Sequence, residues 1–89
     1  MFVVVEHAIT NPGVFFALAS KAAEAPSGIR ALQFFPSVSK DRAVCLWEAN
    51  SVEAVKGFLE PLSAPSSRNT YYTVDSTTAM GLPVAASAA

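Results

Sequence analysis

Two stretches of the chain share one pattern of hydrophobic and polar positions: an apolar strand that ends in glutamate, followed by a capped amphipathic helix. The first copy starts with residues 2–7 and leads to Asn11. The second starts with residues 43–48 and leads to Asn50. Each copy is followed by a further β-rich stretch, so the pattern predicts the order βαββαβ within about eighty residues.

The first copy of this pattern predicts a central strand and a capped helix. The strand, residues 1–9, has a nearly continuous apolar run, which is typical of a strand covered on both faces. Asn11 is a good N-cap and Pro12 suits the first helical position, so we expect a helix from there to about Glu24. One face of this helix carries the apolar residues Phe15, Leu18 and Ala19.

The second and third strands are predicted to form a hairpin. Side chains alternate imperfectly between the two faces of the second strand, residues 29–37. One set is Arg30, Leu32 and Phe34, and the other is Ile29, Ala31, Gln33 and Phe35. Pro36 near the end of this strand indicates a sheet edge. A short polar turn follows, so the third strand, residues 42–48, is expected to return antiparallel.

The second copy of the pattern leads to a helix and a last strand. Asn50 with Glu53 resembles a capping box at the start of the helix. The stripe expected to be buried is Val52, Val55, Leu59 and Leu62. Pro61 is expected to end or tighten this helix. Residues 68–77, rich in Tyr and Thr, are expected to form the last strand, and residues 80–89 an arm or tail.

The order of elements predicts an α+β, ferredoxin-like βαββαβ domain over residues 1–79. Right-handed βαβ crossovers leave a one-strand gap, and two interleaved units give a four-stranded antiparallel sheet in the order 4-1-3-2. Strands one and three are then antiparallel neighbours. Glu6 and Glu48 therefore lie at opposite ends of the sheet, too far apart to act as a catalytic pair.

The sheet face without helices is expected to be apolar. Its large side chains are expected to include some of Trp47, Phe34, Phe35, Tyr71 and Tyr72. An exposed apolar face is not tolerated alone, and a domain of 89 residues buries only about 60–65% of the surface that its unfolded chain exposes. We therefore expect a homodimer in which two such faces pack together as a dimeric α+β barrel.

Composition and charge limit the possible partners. Six basic and seven acidic residues, without clusters, offer no binding surface for nucleic acid or for an anionic membrane. The chain starts without a basic segment and reaches Glu6 after a short apolar run, which is not the pattern of a signal peptide. A cytoplasmic protein is expected. A single cysteine, Cys45, is not compatible with a disulfide framework or a cysteine-based metal knuckle.

His7 is the candidate catalytic residue. It is the only histidine, and histidine is the side chain whose ordinary pKa lies near neutrality. It ends a central strand and points to the face opposite Glu6, with Arg42 and residues 69–72 expected nearby. A histidine close to a tyrosine and an arginine can bind or deprotonate a small acidic ligand. The alternative is a histidine that only satisfies a hydrogen bond at the rim of the barrel.

The other candidate residues come from all four predicted strands. The candidate ligand-binding residues are Glu6, Trp47, Tyr71, Tyr72, Phe34 and Arg42. Cys45 is interpreted as a small core residue, because nothing in the sequence indicates a positive environment that would lower its pKa and His7 is its only possible base. No metal site and no cofactor are predicted, because His7 and Glu6 are adjacent, opposite-facing ligands that converge poorly even across a two-fold axis.

Three short motifs carry a family resemblance. They are Val5-Glu6-His7 in the first strand, Cys45-Leu46-Trp47-Glu48-Ala49 in the third and Tyr72-Thr73-Val74-Asp75 in the fourth. In these, and in its βαββαβ order, the chain resembles small ferredoxin-like proteins that form dimeric α+β barrels, a group with nickel-binding members and many of unknown function. Its topology is also similar to that of the cofactor-independent antibiotic-biosynthesis-type monooxygenases. The nickel-binding members use histidine-rich sites, whereas this chain has one histidine.

Three functions stay open on this basis. The preferred one is a dimeric domain that binds a small apolar or aromatic molecule in a cavity lined by aromatic residues and touched by His7. The second is a cofactor-independent monooxygenase or isomerase, with His7 as the base and Tyr71, Tyr72 or Trp47 holding a ring. The third is a structural dimer with a filled interior. The first two need a cavity of at least about 300 Å³.

Overall fold

The computed structural model describes residues 1–83, apart from the side chains of Ala22 and Ala23. Most of the predicted arm or tail, residues 84–89, lies outside the described residues. The elements are β1 (Phe2–Ile9), α1 (Pro12–Leu18), β2 (Ile29–Pro36), β3 (Arg42–Ala49), α2 (Val52–Ser63) and β4 (Ser67–Thr73). A 3-10 helix, Ala19–Glu24, continues α1.

The four strands form one antiparallel sheet in the order β2-β3-β1-β4. This is the predicted order 4-1-3-2 written from the other edge, so the α+β class and the central positions of β1 and β3 are confirmed. β2, which ends with Pro36, is an edge strand as expected. Phe2 pairs with Glu48 and Glu6 pairs with Val44, which confirms that the two glutamates lie at opposite ends of the sheet.

The first helix begins as its cap predicts and ends in a tighter form. The Asn11 side chain accepts a hydrogen bond from the backbone N–H of Val14 at 3.2 Å. The α-helix stops at Leu18, and the 3-10 helix carries the chain on to Glu24. Pro26 disfavours a helical backbone at the residue before it, which explains why no helical turn extends beyond Glu24.

The second helix differs from the prediction at both ends. Its N-cap is Ser51, whose Oγ accepts the N–H of Ala54 at 3.1 Å, so the predicted capping box that starts at Asn50 is wrong. β3 runs to Ala49, and the chain needs one residue to leave the sheet before it can cap a helix. Pro61 lies inside α2 instead of ending it, and the helix continues to Ser63.

The last strand is shorter than predicted, because a local turn competes with it. β4 ends at Thr73. The Asp75 side chain then accepts the N–H of Thr77 at 3.0 Å and its hydroxyl at 2.6 Å. Short polar side chains of this kind turn the backbone away from a ladder. Residues 78–82 then border a depression on the open sheet face together with Val4 and Leu46.

A β-bulge in β2 changes which side chains face the helices. Ala31 pairs with Trp47 and Phe34 pairs with Cys45, with a register shift between Ala31 and Gln33. The extra residue, Leu32, breaks the two-residue alternation. The predicted grouping is therefore wrong: Ala31 and Phe34 share the helix-covered face, and the residues after the bulge exchange faces.

The hydrophobic core lies between the helices and one face of the sheet. Its central side chains are Val3, Val5, Trp47, Val55 and Leu59. The odd-numbered residues of β1 from Val3 to Ile9 are all buried, whereas Glu6 and Ala8 are exposed. The same face of the sheet therefore carries the core and His7. Among the described residues, no helix is long and apolar enough to cross a membrane.

Candidate functional site

A cavity of about 260 Å³ lies between the helices and the covered face of the sheet. Its walls are mostly apolar and include Phe15, Leu18, Ala31, Phe34, Leu59 and Leu62. His7, Cys45 and Trp47 line the sheet side, because alternate residues of β1 and β3 face the helices. Ala31 and Phe34 are exposed to solvent, which puts the mouth of the cavity at the edge strand β2.

The volume sets the size of any occupant. It is slightly below the roughly 300 Å³ at which pockets for drug-sized molecules begin. It is larger than the cavity of about 150 Å³ that holds benzene in an apolar protein interior. The cavity therefore has room for a substituted single ring or a short aliphatic chain.

His7 is held by an amide whose orientation is fixed from the other side. Asn69 Nδ2 lies 3.1 Å from a Glu60 carboxylate oxygen and 2.8 Å from Ser63 Oγ. The carboxylate can only accept, so this end of the amide is the donor. Asn69 Oδ1 lies 2.6 Å from His7 Nδ1 and must accept a hydrogen bond from the ring N–H. The His7 Nδ1 atom is therefore protonated.

The other ring nitrogen of His7 faces the only cysteine. Because a neutral imidazole carries one proton, Nε2 is left as an acceptor. It lies 3.2 Å from Cys45 Sγ, which in turn lies 3.1 Å from Trp47 Nε1. Indole N–H can only donate, so the sulfur accepts a hydrogen bond from Trp47, and the Cys45 S–H donates a hydrogen bond to His7 Nε2. The hydrogen bonds run in one direction, from Trp47 through Cys45, His7 and Asn69 to Glu60.

The environment keeps the Cys45 and His7 pair uncharged near neutral pH. Burial lowers the pKa of His7, and the hydrogen bond to Asn69 and the charge of Glu60 only partly offset this. Burial raises the pKa of the Cys45 thiol to about 11, against the opposing effect of the Trp47 hydrogen bond. Both groups therefore rest in their neutral forms.

Glu60 closes the chain of hydrogen bonds near the surface of α2. The Tyr71 hydroxyl donates to its carboxylate at 2.6 Å, on the same oxygen that Asn69 contacts. These two hydrogen bonds lower the pKa of Glu60. Burial of the Tyr71 side chain and its hydrogen bond to the Glu60 carboxylate raise the pKa of Tyr71. Glu60 is thus an ionised acceptor that orients Asn69.

Aromatic rings from α1 and β2 cover the site. The Phe15 ring stands edge-on to the His7 ring, with centroids 5.0 Å apart. Phe16 and Phe34 contact each other at 6.2 Å, and Phe34 lies 6.3 Å from Phe15. These rings separate His7 from solvent on the helix side.

The structure divides the predicted site residues between two faces of the sheet. His7, Trp47 and Phe34 line the cavity. Tyr71 lies on the same face of the sheet, where it packs against the core and bonds to Glu60. The remaining three candidates line two further pockets. Glu6 and Arg42 share one of these with His7, and Tyr72 lines the other. No single pocket gathers the whole predicted set.

Sequence reasoning missed the polar partners of His7. Asn69 and Glu60 come from β4 and α2, far along the chain, and Cys45 was interpreted only as a core residue. One signal was present: an asparagine is disfavoured inside a strand, so Asn69 in β4 indicates a specific hydrogen-bond partner. The predicted strand order already placed it beside His7, which the pairing of these two residues confirms.

Within residues 1–83, no three histidine, cysteine, aspartate or glutamate side chains converge in a way that could hold a metal ion. Comparison with known proteins places the chain in no family: no protein-family model matches it, and no curated protein matches it.

Proposed function

We propose that this domain binds a small, mainly apolar molecule in the cavity beside His7. The observation that carries the proposal is the cavity itself, about 260 Å³ of open space between the sheet and the helices of a domain with only 89 residues. The space is open to solvent beside the edge strand β2, so a ligand can enter it. Its volume is slightly below the value of about 300 Å³ expected for a ligand site, so it supports binding of a molecule smaller than a drug-sized one over a domain with a filled interior.

The chemistry of the cavity walls favours a mainly apolar ligand. Most walls are aliphatic or aromatic, and the polar side chains among them are His7, Gln33, Cys45 and Ser63. His7 and Cys45 hydrogen-bond to each other and to Asn69 and Trp47, so a ligand gains no free donor from this pair. A single aromatic ring with a short chain matches the volume and the apolar walls.

The oxygenase or isomerase alternative receives less support from the geometry. It requires His7 to take a proton directly from a substrate. The acceptor nitrogen, Nε2, faces the Cys45 thiol at 3.2 Å, and Nδ1 is protonated toward Asn69. A substrate would have to displace the thiol before His7 could act as its base.

Benzylacetone, a phenyl ring on a short ketone chain, tests the binding proposal. We expect it to quench the fluorescence of Trp47, which is the only tryptophan and lines the cavity. For a ligand of this size we expect a dissociation constant of about 0.1–1 mM. Titration of the intact protein measures it.

Two alanine-to-phenylalanine variants control this titration, one at the mouth of the cavity and one away from it. Ala31→Phe places a ring at the mouth of the cavity and is expected to weaken binding at least about tenfold. Ala17→Phe adds the same ring at an exposed position of α1, away from the cavity walls, and should leave binding unchanged. Equal effects of the two variants, or no quenching in the wild type, would contradict the proposal.

The proposal includes a homodimer that packs two open sheet faces together as a dimeric α+β barrel. Phe35 is 59% exposed and Tyr72 is 49% exposed on this face. Val4 and Val44 on the central strands are only partly covered. Apolar surface of this kind supports association, and a two-fold axis would bring each patch against its own copy.

Sedimentation at micromolar concentration tests the dimer. We expect a particle of twice the chain mass, and we expect Phe35→Glu to raise the dissociation constant at least about 100-fold, because each protomer would bury an unpaired carboxylate in an apolar interface. Val38→Glu changes a fully exposed loop residue and should have no effect. A wild-type monomer under these conditions would rule out this dimer.

A further inference from the structure

Cys45, His7 and Asn69 have the mutual geometry of a nucleophile, a base and a residue that orients the base. The sulfur lies 3.2 Å from His7 Nε2, and the opposite ring nitrogen lies 2.6 Å from Asn69 Oδ1. A constellation of this kind is recognised by its geometry and roles, and a Cys-His-Asn version occurs in cysteine proteases of unrelated fold. Here β3, β1 and β4 each supply one member.

The constellation lies where the core meets the cavity. Cys45 and His7 are 6% and 5% exposed, and both line the open space. Trp47 donates to the same sulfur at 3.1 Å, which stabilises negative charge that develops there. A thiol, its proton acceptor and a binding space therefore coincide.

We propose that Cys45 adds to the β-carbon of a small, apolar α,β-unsaturated carbonyl compound held in this cavity, with His7 carrying the proton and Asn69 as a positioning residue. The inference rests on the proposed binding function, and it specifies the class of ligand.

The addition balances without any further reactant. Cys45 Sγ forms a bond to the β-carbon while its proton passes to His7 Nε2. The carbon–carbon π bond breaks, and its electrons move toward the carbonyl group. His7 then delivers the proton to the α-carbon and returns to its neutral form. The product is a saturated thioether, with no leaving group and no change in any cofactor.

Acyl transfer fits this site less well. It must expel a leaving group, and it then needs a water molecule to release the acyl group from the sulfur. The walls of the cavity are mostly apolar. Conjugate addition requires neither a leaving group nor water.

The charges around His7 determine how the reaction should depend on pH. The titratable groups that face it are Cys45 from β3 and Glu60 from α2, while Tyr71 of β4 bonds to Glu60. The helix α1 contributes only the uncharged ring of Phe15. Above the pKa of His7 the base is neutral and ready, so the rate should be flat until the thiol itself ionises near its pKa of about 11. Below the pKa of His7 the rate should fall, because the protonated ring has no lone pair for the thiol proton.

Benzylideneacetone is the probe, since it is benzylacetone with the reactive double bond. The intact protein is incubated with it, and the adduct is followed by whole-protein mass spectrometry. We expect one adduct with the added mass of the whole reagent, formed at a constant rate from about pH 7 to about pH 9. A rate that rises tenfold per pH unit across this range would show ordinary thiolate chemistry and would overturn the inference.

Three variants assign the roles. Cys45→Ser keeps a hydroxyl between His7 and Trp47 and should form no adduct. His7→Gln should lower the rate of adduct formation at about pH 7 by about 100-fold or more. In this variant the rate should rise about tenfold per pH unit, as it does when only the thiolate reacts. Asn69→Ala should slow the reaction and move its acid inflection to lower pH, because Asn69 raises the pKa of His7. Unchanged rates and pH profiles in the His7 and Asn69 variants would remove both residues from the reaction.

Benzylacetone separates this inference from the proposed function. It cannot react, so its binding to the wild type and to each variant shows whether the cavity is formed. Binding of benzylacetone without any adduct from benzylideneacetone would overturn the nucleophile assignment and leave the binding function standing. Failure of benzylacetone to bind the wild type would remove the binding function itself.

Discussion

Replacing Trp47 with alanine is expected to lower the free energy of unfolding by about 3–5 kcal/mol. Trp47 is the largest fully buried side chain, with 2% of its surface exposed. Its ring packs edge-on against Phe58, with centroids 6.0 Å apart. It also lines the existing cavity, so truncation would enlarge a space that the neighbouring side chains do not fill. The cost in stability grows with the volume of such a space.

Urea denaturation followed by circular dichroism measures this loss. A domain of 89 residues is expected to have a total stability of about 4–13 kcal/mol, so the substitution removes a large share of it. Trp47→Phe keeps an aromatic ring and loses the N–H donor to Cys45, and it should cost less. Val38→Ala, at a fully exposed loop position, should stay within about 0.5 kcal/mol of the wild type. A loss below about 1 kcal/mol for Trp47→Ala would contradict the packing of this core.

Replacing Asn69 with alanine is expected to lower the free energy of unfolding by about 2–4 kcal/mol. Its amide joins three elements: it accepts from His7 of β1 and donates to Glu60 and Ser63 of α2. Without it, the His7 Nδ1–H group loses its partner in a buried place, while the Ser63 hydroxyl keeps its own bond to the Leu59 carbonyl. An unsatisfied buried polar group costs about 1–3 kcal/mol, which is more than the hydrogen bond contributed when made.

The comparison for Asn69→Ala is Asn50→Ala, which removes the same amide at an exposed position between β3 and α2. That variant is expected to stay within about 0.5 kcal/mol of the wild type. The same denaturation experiment measures both. Equal stability of the two variants would mean that the hydrogen bonds around His7 contribute nothing to the fold.

Most of the architecture follows from local patterns in the chain. The repeated apolar strand, the Asn11 cap and the edge proline Pro36 each act over a few residues, and the structure places all three as expected. The errors also have local causes. Ser51 takes the capping role from Asn50, and the side chain of Asp75 ends β4 early, because short polar side chains compete with regular hydrogen bonding.

The site could be predicted only in part. Strand order alone places Asn69 beside His7, and strand alternation alone separates His7 from Glu6. Neither relation shows that Glu60 orients the amide of Asn69, or that the thiol of Cys45 hydrogen-bonds to the His7 ring. Those contacts depend on how α2 packs across β4 and on the register between β1 and β3. No pattern within a single element encodes either of them.

The sequence by itself therefore determined the α+β class, the strand order and the central position of both glutamate-ending strands, because periodicity, caps and right-handed crossovers act locally or through chirality. Only the tertiary structure decided which face of the sheet carries the cavity and His7. The helices cover the face of His7, and the bulge at Leu32 turns Phe34 to that same face. Packing of these elements leaves a cavity where three strands bring Cys45, His7 and Asn69 into contact, since such proximity is a property of the folded chain and not of any segment.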